Sequence, residues 1–235
     1  SHWNDVGALI RAVGNASTVE VFAAVPEEDC NAGAEKLGPP EGGFLHCVQD
    51  LPLSPQEKRF VEEGPKLDFI GLDHRLAHVL QYRLLSACGD LLREREKRTG
   101  LEYRWILRKR ADVFLREVPP LQLLSEPALY AAYRDKDQHI GGLNDKVIFG
   151  RAEQMDHLFA FYSFMLESEN WPALRILCST STFRRTLSRF FVSALANVTG
   201  PAEAILQSYL MVRGVPVRAN RALRYDKPYG LMPEI

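Results

Sequence analysis

Apolar residues in this chain recur in two rhythms that alternate along its length. Residues 3–13 keep a helical period (Trp3, Val6, Leu9, Ile10, Val13), and Gly14 closes the run as a C-cap. STVEVFAAV, residues 17–25, is rich in β-formers and predicts a strand stopped by Pro26. Residues 26–65 lose any period. Gly, Pro and acidic residues dominate there, and only a short helix over 54–63 is predicted, with Ser54-Pro55 as N-cap and first helical residue. KLDFIGL, 66–72, predicts another strand. From Asp73 to Thr99 the positions Leu76, Val79, Leu80, Leu84, Leu85, Leu91 and Leu92 mark one long amphipathic helix, ended by Gly100.

The second half repeats the alternation. Strands are predicted over 103–110, 128–133 (ALYAAY) and 146–150 (KVIFG). Helices are predicted over 151–167, 183–196 and 201–213, the last opened by Gly200-Pro201 and ended by Gly214, and a short strand over 215–217 follows. Strands separated by segments too long for hairpin loops predict an α/β sandwich with a largely parallel central sheet covered by helices. In such sheets ligands bind beyond the carboxyl ends of the strands. Side chains at those ends are therefore the first candidates for chemistry.

Composition narrows the picture by exclusion. No repeat or linker divides the 235 residues, so the chain reads as a single domain over 1–235. A net charge of −1 provides no global field toward nucleic acid or an anionic membrane, so any basic site has to be local. FRRTLSRFF, 183–191, interleaves arginines with phenylalanines, but at helical spacing, which fits a solvated face against a core face better than a nucleic-acid surface. No uncharged run is long enough to span a bilayer, so no membrane segment is predicted. GxSxG, P-loop and GxGxxG patterns are absent, and His74 and His78, four apart on one helix face, lack an HExxH context. The four cysteines show no zinc-ligand spacing: Cys30 and Cys47 flank a Gly/Pro-rich loop that a bridge could close, and Cys88 reads as a buried free thiol. Two glycosylation sequons, at Asn15 and Asn197, favour a secretory compartment, with the cytoplasm as the alternative.

Three stretches carry candidate chemistry. In YRWILRKRADVFL, 103–115, an apolar strand runs into Arg108, Lys109, Arg110 and Asp112. Alternation sends Arg108 and Arg110 to one face and Lys109 to the other. Arg110 at the strand tip suits bidentate phosphate recognition, and Asp112 could hold a divalent cation or a sugar hydroxyl. A solvated strand end with an Arg–Asp pair explains the same residues structurally. GGLNDKVIFG, 141–150, sets Asn144 and Asp145 at a strand entrance, where turn chemistry is the alternative. Glu203 stands in the first turn of the last helix, where a first-turn acid complements the helix dipole and could also face a cleft as a general base.

Taken in order, LLREREKRTGLEYRWILRKRADVFL, GGLNDKVIFGRAEQMDHL and PAEAILQSYLMVRGVPV resemble the pattern of GT-A-fold glycosyltransferases over roughly residues 70–217. The resemblance implies a GT-A-like three-layer α/β/α sandwich with a mostly parallel central sheet. It further implies transfer of a sugar from a nucleoside-diphosphate sugar to a hydroxyl of a glycan or glycoprotein acceptor, in the Golgi lumen, without nucleic-acid partners. Carried over by position, Arg108, Arg110, Asp112 and Asn144 would bind the donor and its diphosphate, and Asp145 and Glu203 would supply the catalytic acids. A divalent cation, Mn2+ or Mg2+, would sit on Asp112. Arg110 stands where the usual Asp-x-Asp motif has its first acid, so its guanidinium could neutralise the diphosphate in the metal's place. Such folds also place a nucleotide-holding strand upstream of the first helix, whereas this sequence starts at the helix, so the expectation is either that such a segment is removed or disordered or that the donor site is incomplete. The alternative function is a catalytically degenerate GT-A-like module that recognises a glycan or a protein partner.

Overall fold

A computed structural model describes residues 20–26, 43–48, 52–65, 68–69, 72–110, 113–121, 124, 126–132, 145–174 and 202–226. The expected helices over 3–13 and 183–196 lie outside these residues. Chain order begins with β1 (Val21–Pro26), β2 (Gly43–Val48), α1 (Pro55–Glu63), the two-residue strands β3 (Asp68–Phe69) and β4 (Leu72–Asp73), and α2 (Arg75–Thr99). It continues with β5 (Trp105–Lys109), β6 (Phe114–Glu117), β7 (Leu129–Ala132), β8 (Val147–Arg151) and α3 (Ala152–Leu166). A 3-10 turn (Ser168–Asn170), α4 (Ala202–Val212), β9 (Val217–Asn220) and β10 (Arg224–Asp226) complete it.

Local chemistry sets the helix ends. Ser54 caps α1 with a complete capping box: its Oγ accepts from Glu57 N at 3.2 Å, while Glu57 Oε2 accepts from Ser54 N at 2.7 Å. Pro55 follows at the position where its missing N–H costs nothing. Helix α2 stops at Gly100, whose φ of 67° is a left-handed conformation open to glycine, and the Gly100 N–H donates to the Glu96 carbonyl.

A four-stranded sheet in the order β5-β8-β7-β9 forms the centre. β8 pairs antiparallel with both β5 and β7, whereas β7 and β9 are parallel, so β5, β7 and β9 point one way and β8 the other. The fold is thus mixed α/β, and the central sheet is mixed rather than largely parallel. Alternation splits its side chains between two apolar clusters. Ile106, Leu129, Ala131 and Ile148 face α2, α3 and α4, meeting Tyr82, Leu158, Phe161 and Tyr209. Trp105, Leu107, Tyr130 and Phe149 face the other way, toward Val113, Leu115 and Leu223. None of the described residues in that second cluster belongs to one of the helices; it joins β5, β7 and β8 to β6, the residues flanking β6 and Leu223.

Several expectations need correction. β2 falls inside the stretch read as irregular and pairs in parallel with β1 from Val21↔Gly43 to Pro26↔Val48. The strand expected over 66–72 is instead a tight antiparallel pair, β3 with β4. β6 and β10, absent from the reading, pair antiparallel. Along α2 the buried stripe runs through Val79, Tyr82, Leu85 and Leu92, leaving Leu76 and Leu80 exposed.

Two polar knots fasten α2 to its neighbours. Glu57, 2% exposed, receives Nε and Nη2 of Arg83 at 2.7 and 2.5 Å and the Tyr162 hydroxyl at 2.5 Å, which joins α1, α2 and α3. Burial works to raise the Glu57 carboxyl, but Arg83, Tyr162 and Ser54 together hold it down to about 2. At the other end of α2, Arg95 and Tyr103 both bond Glu20, at the entrance to β1. No helix among the described residues is long and apolar enough to cross a membrane.

Candidate functional site

Because β5, β7 and β9 share a direction, the chain leaves the sheet after Lys109, Ala132 and Asn220 along one edge. The reversed β8 begins at that same edge. Arg110 N donates to Lys146 O at 2.9 Å, which carries the β5–β8 ladder one step past the Lys109↔Val147 pair. Strand reversal is therefore what delivers Asp145 to Arg110.

Arg108 and Arg110 continue the face begun by Ile106 and so look toward α2, while Lys109 lies on the opposite face, its Nζ bonded to the Val113 carbonyl at 2.8 Å. Arg110 Nη1 lies 3.3 Å from Asp145 Oδ2, and Gln81 Nε2 of α2 donates to the same oxygen at 2.9 Å. The pair is asymmetric: the Asp145 side chain is 5% exposed and that of Arg110 32%. The acid is inside and the guanidinium reaches solvent.

Electrostatics follow from that burial. Desolvation alone would raise the Asp145 carboxyl, but Arg108, Arg110 and Gln81 outweigh it and hold the group below its usual range. Near neutral pH Asp145 is therefore a fixed anion and a weak base. Arg108, deeper in the site, has its pKa lowered by burial, with Asp145 acting against that. His78 of α2 stands beside these groups. Burial drives it down to about 4, with Asp145 raising it and His74 and Arg110 lowering it further. Its ring is 6.2 Å from His74 and 6.3 Å from Tyr82, centroid to centroid.

Of the residues singled out in the sequence, Arg108, Arg110 and Asp145 come together. Glu203 lies in the first turn of α4 as expected, but its side chain is outside the described residues, as are Asp112 and Asn144. Gln81 and His78 were missed as parts of this site. The available signal was two polar residues spaced three apart on the inward face of an amphipathic helix, in register with Tyr82 and Leu85.

For a divalent cation the described donors are a poor fit. Two guanidiniums repel it, and the one carboxylate among them already bonds Arg110 and Gln81. Among the described residues no three His, Cys, Asp or Glu side chains gather as metal ligands. Cys88 is free, and burial raises its thiol pKa. Cys30 and the Cys47 side chain, and with them the bridge considered above, lie outside the described residues. Comparison with family models, curated proteins and solved structures finds no match.

Proposed function

We propose that the chain transfers a sugar from a nucleoside-diphosphate sugar to a hydroxyl of a glycan or glycoprotein, on a GT-A-like fold. The observation that carries this is the convergence of Arg108, Arg110 and Asp145 at the edge where three strands end, with Arg110 turned to solvent. Glycosyl transfer requires preorganised positive charge on the departing diphosphate, commonly the largest single contribution to such catalysis. A guanidinium held in place by a buried carboxylate supplies it without reorganising, and its planar donors match phosphate oxygens.

Within this reading the roles divide by environment. Arg110 binds the diphosphate, with Arg108 adding charge from behind. Asp145 positions Arg110 and Gln81 and takes no proton. Asp112 and Asn144, by their place in the family pattern, hold the donor's sugar side. An inverting reaction then takes its base from Glu203, while retention requires none on the far face. Arg108 and Arg110 do the work of a metal, so transfer is expected to proceed without Mn2+.

One observation favours a second reading, a glycan- or protein-binding module without turnover: the carboxylate nearest Arg110 is already engaged and is a weak base. Calorimetric titration of a nucleotide-sugar panel, with slow donor hydrolysis followed with and without Mn2+, separates the two. Saturable binding with hydrolysis supports the transferase. Binding with no hydrolysis supports the module, and no saturable binding of any nucleotide sugar ends the transferase proposal.

A further inference from the structure

One nitrogen of His78 is left over at this edge. Gln81 and Arg110 both bond Asp145, but His78 Nδ1 is enclosed and has no hydrogen-bond partner among the described residues. An enclosed polar atom without a partner costs stability, and such a cost persists where a group absent from the unliganded protein completes the bond. The charged and titratable groups acting on the ring are His74 and Arg110, which disfavour its charge, and Asp145, which favours it. With its pKa near 4, the imidazole meets a ligand uncharged and adds a directed N–H without another unit of repulsion beside Arg108 and Arg110. The ring as a whole is half-buried. A half-turn about Cβ–Cγ carries Nδ1 to its other edge without changing the ring's outline.

We propose that His78 is a third recognition residue of this site, donating Nδ1–H to a diphosphate oxygen held by Arg110. The inference rests on the transferase reading and adds to it a residue on α2, which would close on the ligand from the helix side while Arg110 holds it from the strand side.

Asparagine places its amide N–H close to the position of Nδ1, whereas glutamine reaches toward that of Nε2, so the two variants discriminate between the nitrogens. The probes are inorganic pyrophosphate, UDP, GDP and ADP, titrated calorimetrically at pH 7.5 into the whole chain. Loss of one hydrogen bond to a charged oxygen weakens binding about tenfold or more. The expected result is that loss for His78→Ala and for His78→Gln, with His78→Asn staying within about threefold of the parent. A parallel readout needs no variant that folds poorly: long-range 1H–15N correlation on histidine-labelled protein should show Nδ1 of one histidine shifting as pyrophosphate is added, and that signal should vanish in His78→Asn. Parent-like binding by His78→Ala, an equal loss in His78→Asn, or an unmoved Nδ1 at saturation would each overturn the inference. If Arg110→Met abolishes binding while His78→Ala leaves it intact, only the inference fails. If the parent binds none of the four probes, the transferase reading fails and takes the inference with it.

Discussion

Replacing Arg83 by methionine tests the energetic reasoning most directly, because it removes one side of a buried network and leaves the other side charged. Glu57 would keep the Tyr162 hydroxyl and the Ser54 N–H but lose both guanidinium bonds, at 2.5 and 2.7 Å. Removing one partner of a buried ion pair costs about 3–5 kcal/mol. The two surviving donors place Arg83→Met near the lower end, about 3 kcal/mol. The depressed Glu57 pKa points to the same scale: a shift from 4.5 to about 2 is worth about 3 kcal/mol for the whole network.

The sign of the pH dependence follows. A folded pKa below the unfolded value contributes stability that is full above pH 4.5 and is lost as the pH falls toward 2. In Arg83→Met the guanidinium's share of that contribution is already gone, so the gap between parent and variant should be widest at neutral pH and narrow in acid. Urea unfolding followed by circular dichroism at pH 7 and at pH 2.5 measures both ends. Adding Glu57→Gln should recover part of the loss by removing the stranded charge. A cost under about 1 kcal/mol at pH 7, or the same cost at both pH values, would refute the account.

Asp112→Asn is expected to abolish sugar transfer without lowering the melting temperature; parent-like turnover would remove Asp112 from the mechanism. Gly89→Ala should destabilise despite alanine's better helix propensity, worth about 1 kcal/mol. Its Cβ would meet Cγ and Cβ of Phe159 at 2.8 and 3.0 Å, atoms near the backbone that cannot swing aside, and overpacking costs about 1–3 kcal/mol. A variant more stable than the parent in urea would show that α2 and α3 can part more easily than this. Tyr103 and Tyr162, both raised to about 12 by burial and a bonded carboxylate, should ionise late. Because their folded pKa values are raised, they contribute stability present below pH 10 and lost as the pH climbs toward 12. Absorbance at 295 nm should therefore keep rising to pH 12 in step with unfolding, and Tyr162→Phe should shrink that late phase; complete ionisation of all eight tyrosines by pH 10.5 in the folded chain would contradict it.

What the sequence reveals of this fold is whatever depends on neighbours in the chain. Ser54-Pro55 and Gly100 mark helix ends because caps are local chemistry, and α2 could be read to within two residues at its start and to its last residue. Which leucines of α2 face inward was less legible. Tyr82 takes a central place in the core by packing edge-on to Phe161 at 4.8 Å, and this rotates the stripe away from Leu76 and Leu80. β2 was hidden for a related reason. GFLHCV sits among glycines and prolines, and only its pairing with β1, a contact distant in sequence, makes it a strand. The direction of β8 is likewise a property of its partners. VIFGR reads the same whichever way it runs.

That single reversal changes what the candidate site is. Alternation correctly put Arg108 and Arg110 on one face, but nothing in GGLNDK announces that Asp145 will meet them from an antiparallel neighbour and be buried there. A carboxylate in that position has two options: take up a proton, or stay ionised against enough positive charge to offset its desolvation. With Arg108 and Arg110 on the facing strand and Gln81 bonded to Oδ2, the second prevails. The residue that looked like a catalytic base thereby becomes the anchor of Arg110, the residue proposed to bind the anion. Any proton acceptor must then come from elsewhere, and Glu203, from α4, is the one the sequence pattern supplies. The arrangement has a kinetic consequence. Substitution at Glu203 should touch turnover and spare diphosphate affinity, whereas substitution at Asp145 should loosen Arg110 and weaken affinity first.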